Sequence, residues 1–161
     1  MSASTRHETT INVPPGLPTI EIVRDFDAPP EKVYRAHVEP DLAMTWMGPR
    51  DIASRAEHWD ARTGGSWRYV SARGSDEFWF YGSFHELRPG ERIVQTFTYE
   101  DMPDDVALEI MTFEDLGGGR TRLRAVSIVE TLEARDAFVA SGMETGVVEG
   151  YEQLDELLPS V

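Results

Sequence analysis

The side chains in this sequence best suited to holding a small molecule are aromatic. Trp46, Trp67, Tyr69, Phe78, Phe80, Phe84, Phe97, Tyr99 and Phe113 fall on or near the core-facing positions of segments whose pattern predicts strands. Rings at such positions either pack a core or wall a pocket that stacks on a flat apolar ligand. Their surplus favours the pocket. Phe78, Trp79, Phe80 and Tyr81 are consecutive, so both faces of one strand are aromatic. A solvated outer face rarely needs Trp79 and Tyr81, and that pair is read as a surface for a second copy of the chain, giving a homodimer.

Other chemistries lack their residues. The chain has no Cys, which removes disulfides, thiolate metal sites and cysteine nucleophiles. His7, His37, His58 and His85 form no ligand pair and no HExxH spacing, so no metal is expected. No GxSxG elbow is present. Gly117-Gly118-Gly119 joins two predicted strands and has no helix N-terminus behind it to cradle a phosphate. The catalytic residues are left unknown and no cofactor is predicted. A net charge of −14, from 29 acidic and 15 basic residues, argues against nucleic acid and against anionic membranes as partners. The first stretch has no apolar core of a secretory leader, and no stretch reaches the length of a membrane span. A cytoplasmic protein is the expectation.

The elements that must position these rings are legible in outline. Residues 1–18 read as a polar, proline-containing N-terminal arm, and residues 19–161 as one domain, the usual size for a single core. Thr19 to Asp27 alternates as a half-buried strand. Asp27 is a cap candidate for a helix from about Glu31 to Val38 that Glu39-Pro40 stops. A short second helix spans Asp41 to Trp46. Five or six strands follow, separated by turn signals such as Arg73-Gly74-Ser75-Asp76 and Arg88-Pro89-Gly90-Glu91. From about Glu133 the period changes to that of a helix. Met143, Val147, Tyr151, Leu154 and Leu158 form the stripe of a helix of about five turns, ended by Pro159. Gly142, Gly146 and Gly150 fall four apart on it and predict close packing against the sheet or space beside a ligand. The fold class is therefore α+β, a curved antiparallel sheet wrapped around a long C-terminal helix.

Six segments in order carry a family resemblance. They are Ala28-Pro29-Pro30-Glu31-Lys32-Val33-Tyr34, Trp46-Met47-Gly48-Pro49, Asp60-Ala61-Arg62-Thr63-Gly64-Gly65-Ser66-Trp67, the run from Gly82-Ser83-Phe84 to Arg92-Ile93-Val94, Gly118-Gly119-Arg120-Thr121-Arg122-Leu123, and Gly142-Met143-Glu144-Thr145-Gly146 leading into Leu154. Together they resemble the START-like (SRPBCC) superfamily, in the branch named for the activator of heat-shock-protein ATPase. The resemblance implies a helix-grip fold with a cavity between sheet and long helix. It implies a small hydrophobic ligand, aromatic or polyketide-like, with Met143, Val147 and Tyr151 joining the aromatic residues in the lining. Family members often carry Trp directly after the glycine matching Gly146; this chain has Val147, which leaves space. The superfamily also contains cyclase- or hydrolase-type enzymes, for which His37, Tyr69, Arg68 and Glu109 are the acid–base candidates, and cochaperone modules. Fold alone does not fix function; ligand binding is favoured over both by the fold resemblance, the aromatic surplus and Val147.

Overall fold

The computed structural model describes residues 7–161. Its strands are β1 (Thr10–Asn12), β2 (Thr19–Phe26), β3 (Ala53–Trp59), β4 (Ser66–Arg73), β5 (Asp76–Arg88), β6 (Arg92–Tyr99), β7 (Ala107–Gly117) and β8 (Arg120–Ile128). They form one curved antiparallel sheet in the order β1-β2-β8-β7-β6-β5-β4-β3. Helices α1 (Pro30–Val38) and α2 (Pro40–Trp46) lie between β2 and β3, and α3 (Leu132–Ala140) and α4 (Met143–Leu157) follow β8. This is the helix-grip α+β arrangement that the sequence predicts. One strand beyond those predicted completes the sheet. Part of the arm supplies β1, which pairs with β2, and β2 pairs along its whole length with β8. Of the predicted arm, residues 1–6 lie outside the described residues.

The meander follows from its turns. Gly74 and Gly90 take φ values of 60° and 72° at the β4–β5 and β5–β6 turns, a region that side-chain-bearing residues avoid. The register Tyr69↔Phe80 then fixes which face of β5 is concave. Phe80 and Phe78 point inward, whereas Trp79 and Tyr81 face outward. Trp79 is not bare there: the Arg68 guanidinium lies 4.0 Å from its ring centroid and that of Arg55 lies at 5.6 Å. Tyr81 remains exposed.

The α1 helix starts on Pro29-Pro30, whose fixed φ suits the first turn. Asp27 does not cap it. That carboxylate instead hydrogen-bonds His7 at 2.9 Å and lies 3.8 Å from Arg120. At the other end two indoles serve orphan carbonyls: Trp46 Nε1 donates to Ala36 O (2.9 Å) and Trp59 Nε1 to Val38 O (2.7 Å). These bonds fix both tryptophans against α1.

The predicted five-turn C-terminal helix begins later than its glycine spacing suggested. Gly142 adopts φ 86° and separates α3 from α4. The close approach at Gly146 and Gly150 is to the loop after α2 and not to the sheet. A Cβ on Gly150 would stand 3.1 Å from Trp46 O, and one on Gly146 3.5 Å from Pro49 Cδ. Gln153 Nε2 donates to Gly48 O (2.9 Å) beside them.

At the sheet, α4 is pinned by Tyr151 and Leu154, with Leu158 just beyond its end, all buried. An ion pair joins them. Arg24, on the concave face of β2 between Ile22 and Phe26, is only 1% exposed and makes a bidentate contact to Asp155 (2.6 and 3.0 Å). A buried cation that loses its partner is costly. Asp155→Ala should therefore lower the unfolding free energy in urea by about 3 kcal/mol. The double variant Arg24→Met/Asp155→Leu should recover most of that loss. An Asp155→Ala loss within experimental error of zero would show that the pair does not hold the helix.

Candidate functional site

The concave face of the sheet lies opposite α4. Between them lies a cavity of about 660 Å³. Its floor is a four-ring aromatic cluster contributed by three neighbouring strands. Trp67 stacks on Tyr69 (centroids 5.4 Å apart), Tyr69 meets Phe80 (5.2 Å), Phe80 meets Phe97 (5.2 Å), and Phe97 returns to Trp67 (5.8 Å). Trp46 and Tyr151, stacked at 5.9 Å, line another part of the wall. Met143, Val147 and Phe138 complete the helical side. A smaller recess of about 120 Å³ adjoins at Tyr69 and Phe80 and is lined by Phe78 and Ser71.

Gly82 makes the cluster possible. A Cβ there would lie 2.5 Å from Trp67 Cζ2 and against the Thr96 carbonyl oxygen. The Trp67 indole occupies the space that any other residue would fill. Nothing in the strand pattern distinguishes this role from that of an ordinary turn or bulge glycine.

Three carboxylates line the cavity, those of Asp51, Glu109 and Glu149. Glu109 on β7 receives one hydrogen bond on each oxygen, from Gln95 Nε2 (2.9 Å) and from Ser127 Oγ (3.3 Å). Both donors are neutral. Glu109 is deep in the molecule, yet it keeps accessible surface, and that surface belongs to the cavity. Removal from water raises its pKa above the ordinary glutamate value, while the two hydrogen bonds work in the opposite sense. Burial, with the nearby Glu109 charge adding to it, also raises the phenol pKa values of Tyr69 and Tyr151, so both stay neutral donors. Among the described residues Arg73 is the one Lys or Arg side chain in the lining, and Asp51 holds it in a bidentate pair (2.7 and 3.3 Å).

His37 lines the α1 side. Its Nδ1 lies 2.7 Å from Val33 O, so Nδ1 carries the proton and donates, and Nε2 is left as a buried acceptor without a partner. Desolvation brings its pKa down to about 4. The Trp67 Nε1 donor is likewise buried without a partner. Such orphaned groups cost about 1–3 kcal/mol each.

Of the residues singled out in the sequence, Trp46, Trp67, Tyr69, Phe80, Phe97, Met143, Val147 and Tyr151 line the main cavity. Phe78 lines only the smaller recess. Phe84 and Phe113 lie in the packed core, against Trp59 and against Tyr34 and His37 respectively. Tyr99 stacks on Phe80 from outside the lining and bonds Asp101 through its hydroxyl (3.0 Å). Among the acid–base candidates Arg68 is displaced. It lies on the convex face, paired with Glu100 (2.7 and 3.0 Å) and stacked on Trp79. The sequence reading missed Gln95 and Ser127, whose only signal is their position across from Glu109 in neighbouring strands. Among the described residues no cluster of His, Asp and Glu could hold a metal, and no helix is long and apolar enough to cross a membrane.

Two pH dependences follow, of opposite sign. His37 binds its proton less readily folded, at about 4 against 6.5 unfolded. The unfolded state therefore takes up protons first, and stability present above pH 6.5 is lost as the pH falls towards 4. The advantage of the wild type over His37→Leu should shrink by about 3 kcal/mol across that interval in denaturant titrations. An unchanged advantage would mean that the imidazole is solvated. Glu109 binds its proton more readily folded, so its contribution is present below the unfolded value of 4.5 and is lost as the pH rises through the folded one. Glu109→Gln should raise the melting temperature more at pH 8 than at pH 5, as read by calorimetry, and an equal effect at both would contradict the burial.

A family model described as Activator of Hsp90 ATPase homolog 1-like protein matches residues 27–159. No curated protein sequence matches the chain. Among solved structures, one from Rhodobacter sphaeroides is 27% identical, covering 96% of this chain and 100% of that one with a TM-score of 0.86. Another, from Chromobacterium violaceum, is 28% identical, covering 88% and 96% with a TM-score of 0.76. An HSP90 activator from Plasmodium falciparum, 21% identical, covers 68% and 71% with a TM-score of 0.55, a likeness of fold alone.

Proposed function

The chain belongs to the family of Activator of Hsp90 ATPase homolog 1-like proteins, and from that premise we propose that it binds a small, largely apolar ligand between the sheet and α4. The observation that carries this reading is the four-ring floor facing about 660 Å³ of unfilled space. Protein interiors pack like organic crystals and keep few voids larger than a water molecule. This space is half open, and an apolar ligand seated in it removes the ring faces from water. The half-served carboxylate of Glu109, with Gln95 and Ser127 beside it in the lining, supplies the few polar groups that fix a ligand's orientation in a mostly apolar site.

Acid–base catalysis in the same cavity is the second reading, favoured by one observation. Glu109 is a desolvated carboxylate with Tyr69 and Tyr151 close enough to feel its charge. A group tuned this way can exchange a proton with a bound substrate. Conversion of a bound compound by the wild type and not by Glu109→Gln would select this reading over simple binding.

Val147 is the position that tests binding. Val147→Trp places an indole in the cavity. The variant should fold with an unchanged or higher melting temperature, because it fills space. Native mass spectrometry of wild-type protein should release a hydrophobic small molecule, and compounds from an apolar library should raise its melting temperature. In Val147→Trp those compounds should bind at least about tenfold more weakly, a loss of about 1.4 kcal/mol. A wild-type protein that no compound stabilises, with nothing released from it, would overturn the proposal.

A further inference from the structure

We propose that the ligand of this cavity is a lipophilic amine, an aromatic or alicyclic body carrying a protonated nitrogen that pairs with Glu109. The inference rests on the binding function proposed above and narrows it to a class.

The charge on the cavity lining is unmatched. Glu109 is the acidic group set deepest in the cavity, and its two oxygens accept one hydrogen bond each, from Gln95 and Ser127. A carboxylate has about four acceptor positions, so roughly half remain unused. Neither donor carries charge. The remaining ionisable lining groups do not supply a counter-ion. Arg73 is spent on Asp51, Glu149 adds a second negative group, and His37 is neutral with its free nitrogen an acceptor. Tyr69 and Tyr151 are neutral phenols. A ligand anion entering here would meet Glu109 and Glu149 with no free cation among the described lining residues. A neutral apolar ligand would leave the carboxylate half-served in a low-dielectric space, which is costly. An ammonium group brings up to three donors and the missing charge.

The walls suit the same class. Trp67, Tyr69, Phe80 and Phe97 line the same cavity as Glu109. Aromatic faces attract cations held within about 6 Å, and the attraction grows when water is excluded. The cavity is also large enough for a body of two or three rings beyond the charged head. At long range, the net charge of −14 concentrates cations around the molecule and repels anions.

Three probes of one frame separate the possibilities: diphenylpropylamine, diphenylpropanol and diphenylpropionate, titrated calorimetrically at pH 7 into the full chain. The amine should bind at least about tenfold tighter than the alcohol, as a charge-assisted hydrogen bond predicts, and the carboxylate weakest. In Glu109→Gln, which keeps the shape and the Gln95 and Ser127 partners, the amine should fall to within about twofold of the alcohol. The alcohol itself should change little. Amine and alcohol binding equally well to the wild type, both lost in Val147→Trp, would overturn the amine assignment and leave the apolar-ligand reading intact. An amine preference that survives Glu109→Gln would also overturn it, by tracing the preference to the general negative field. Failure of all three probes to bind would overturn both.

Discussion

Helix α4 is held to the sheet at one end only, and the space inside the molecule depends on that. Its C-terminal half is anchored by Tyr151, Leu154 and Asp155, the last through a nearly inaccessible Arg24. Gly150 and Gln153 tie the middle of the helix to the backbone of Trp46 and Gly48. Among the described residues the N-terminal half buries no side chain fully; Met143 and Val147 pack against the core from its margin. That half starts at Gly142, where the chain turns through a left-handed residue out of α3, and Met143 and Val147 are only partly buried. The helix therefore stands off the sheet as a wedge does, and the aromatic floor faces the open end.

The same wedge sets the electrostatics. A carboxylate on β7 that would be an ordinary surface group on the convex face is placed instead where water is scarce. Low dielectric makes an unpaired polar group expensive and a well-placed partner correspondingly strong. Glu109 and His37 respond in opposite directions to one cause, because desolvation disfavours whichever form is charged. Both hold hydrogen bonds from or to the protein that only partly serve them. The cavity is thus apolar in its area and acceptor-rich in its polar points.

Much of this frame was legible in the sequence, for reasons that are local. Ser66–Arg73 and Arg92–Tyr99 are bounded by turn residues and alternate, so their limits are set by adjacent chemistry. The helical stripe from Met143 to Leu158 reads directly from its period. What escaped was decided at a distance. The three residues of β1 carry no pattern and exist as a strand because β2 offers an edge. Gly142 shares the spacing of Gly146 and Gly150, yet its backbone conformation ends one helix and begins another. Arg24 shares the parity of Ile22 and Phe26, yet its partner Asp155 lies 131 residues away and has no local signal; Glu109 is a candidate by sequence, and only the register shows Gln95 and Ser127 as its partners. Arg68 errs the other way: its neighbours Trp67 and Tyr69 line the cavity, and alternation sends it to the convex face.

The central claim is that Glu109 is a desolvated carboxylate facing an unfilled aromatic cavity. The most direct measurement is an NMR titration of its side-chain carboxyl carbon in the ligand-free protein. A midpoint clearly above that of an exposed glutamate, moving down when an amine is bound, is the result this structure predicts. A midpoint at or below the ordinary glutamate value in the empty protein would mean that water reaches Glu109 freely, and would contradict the account.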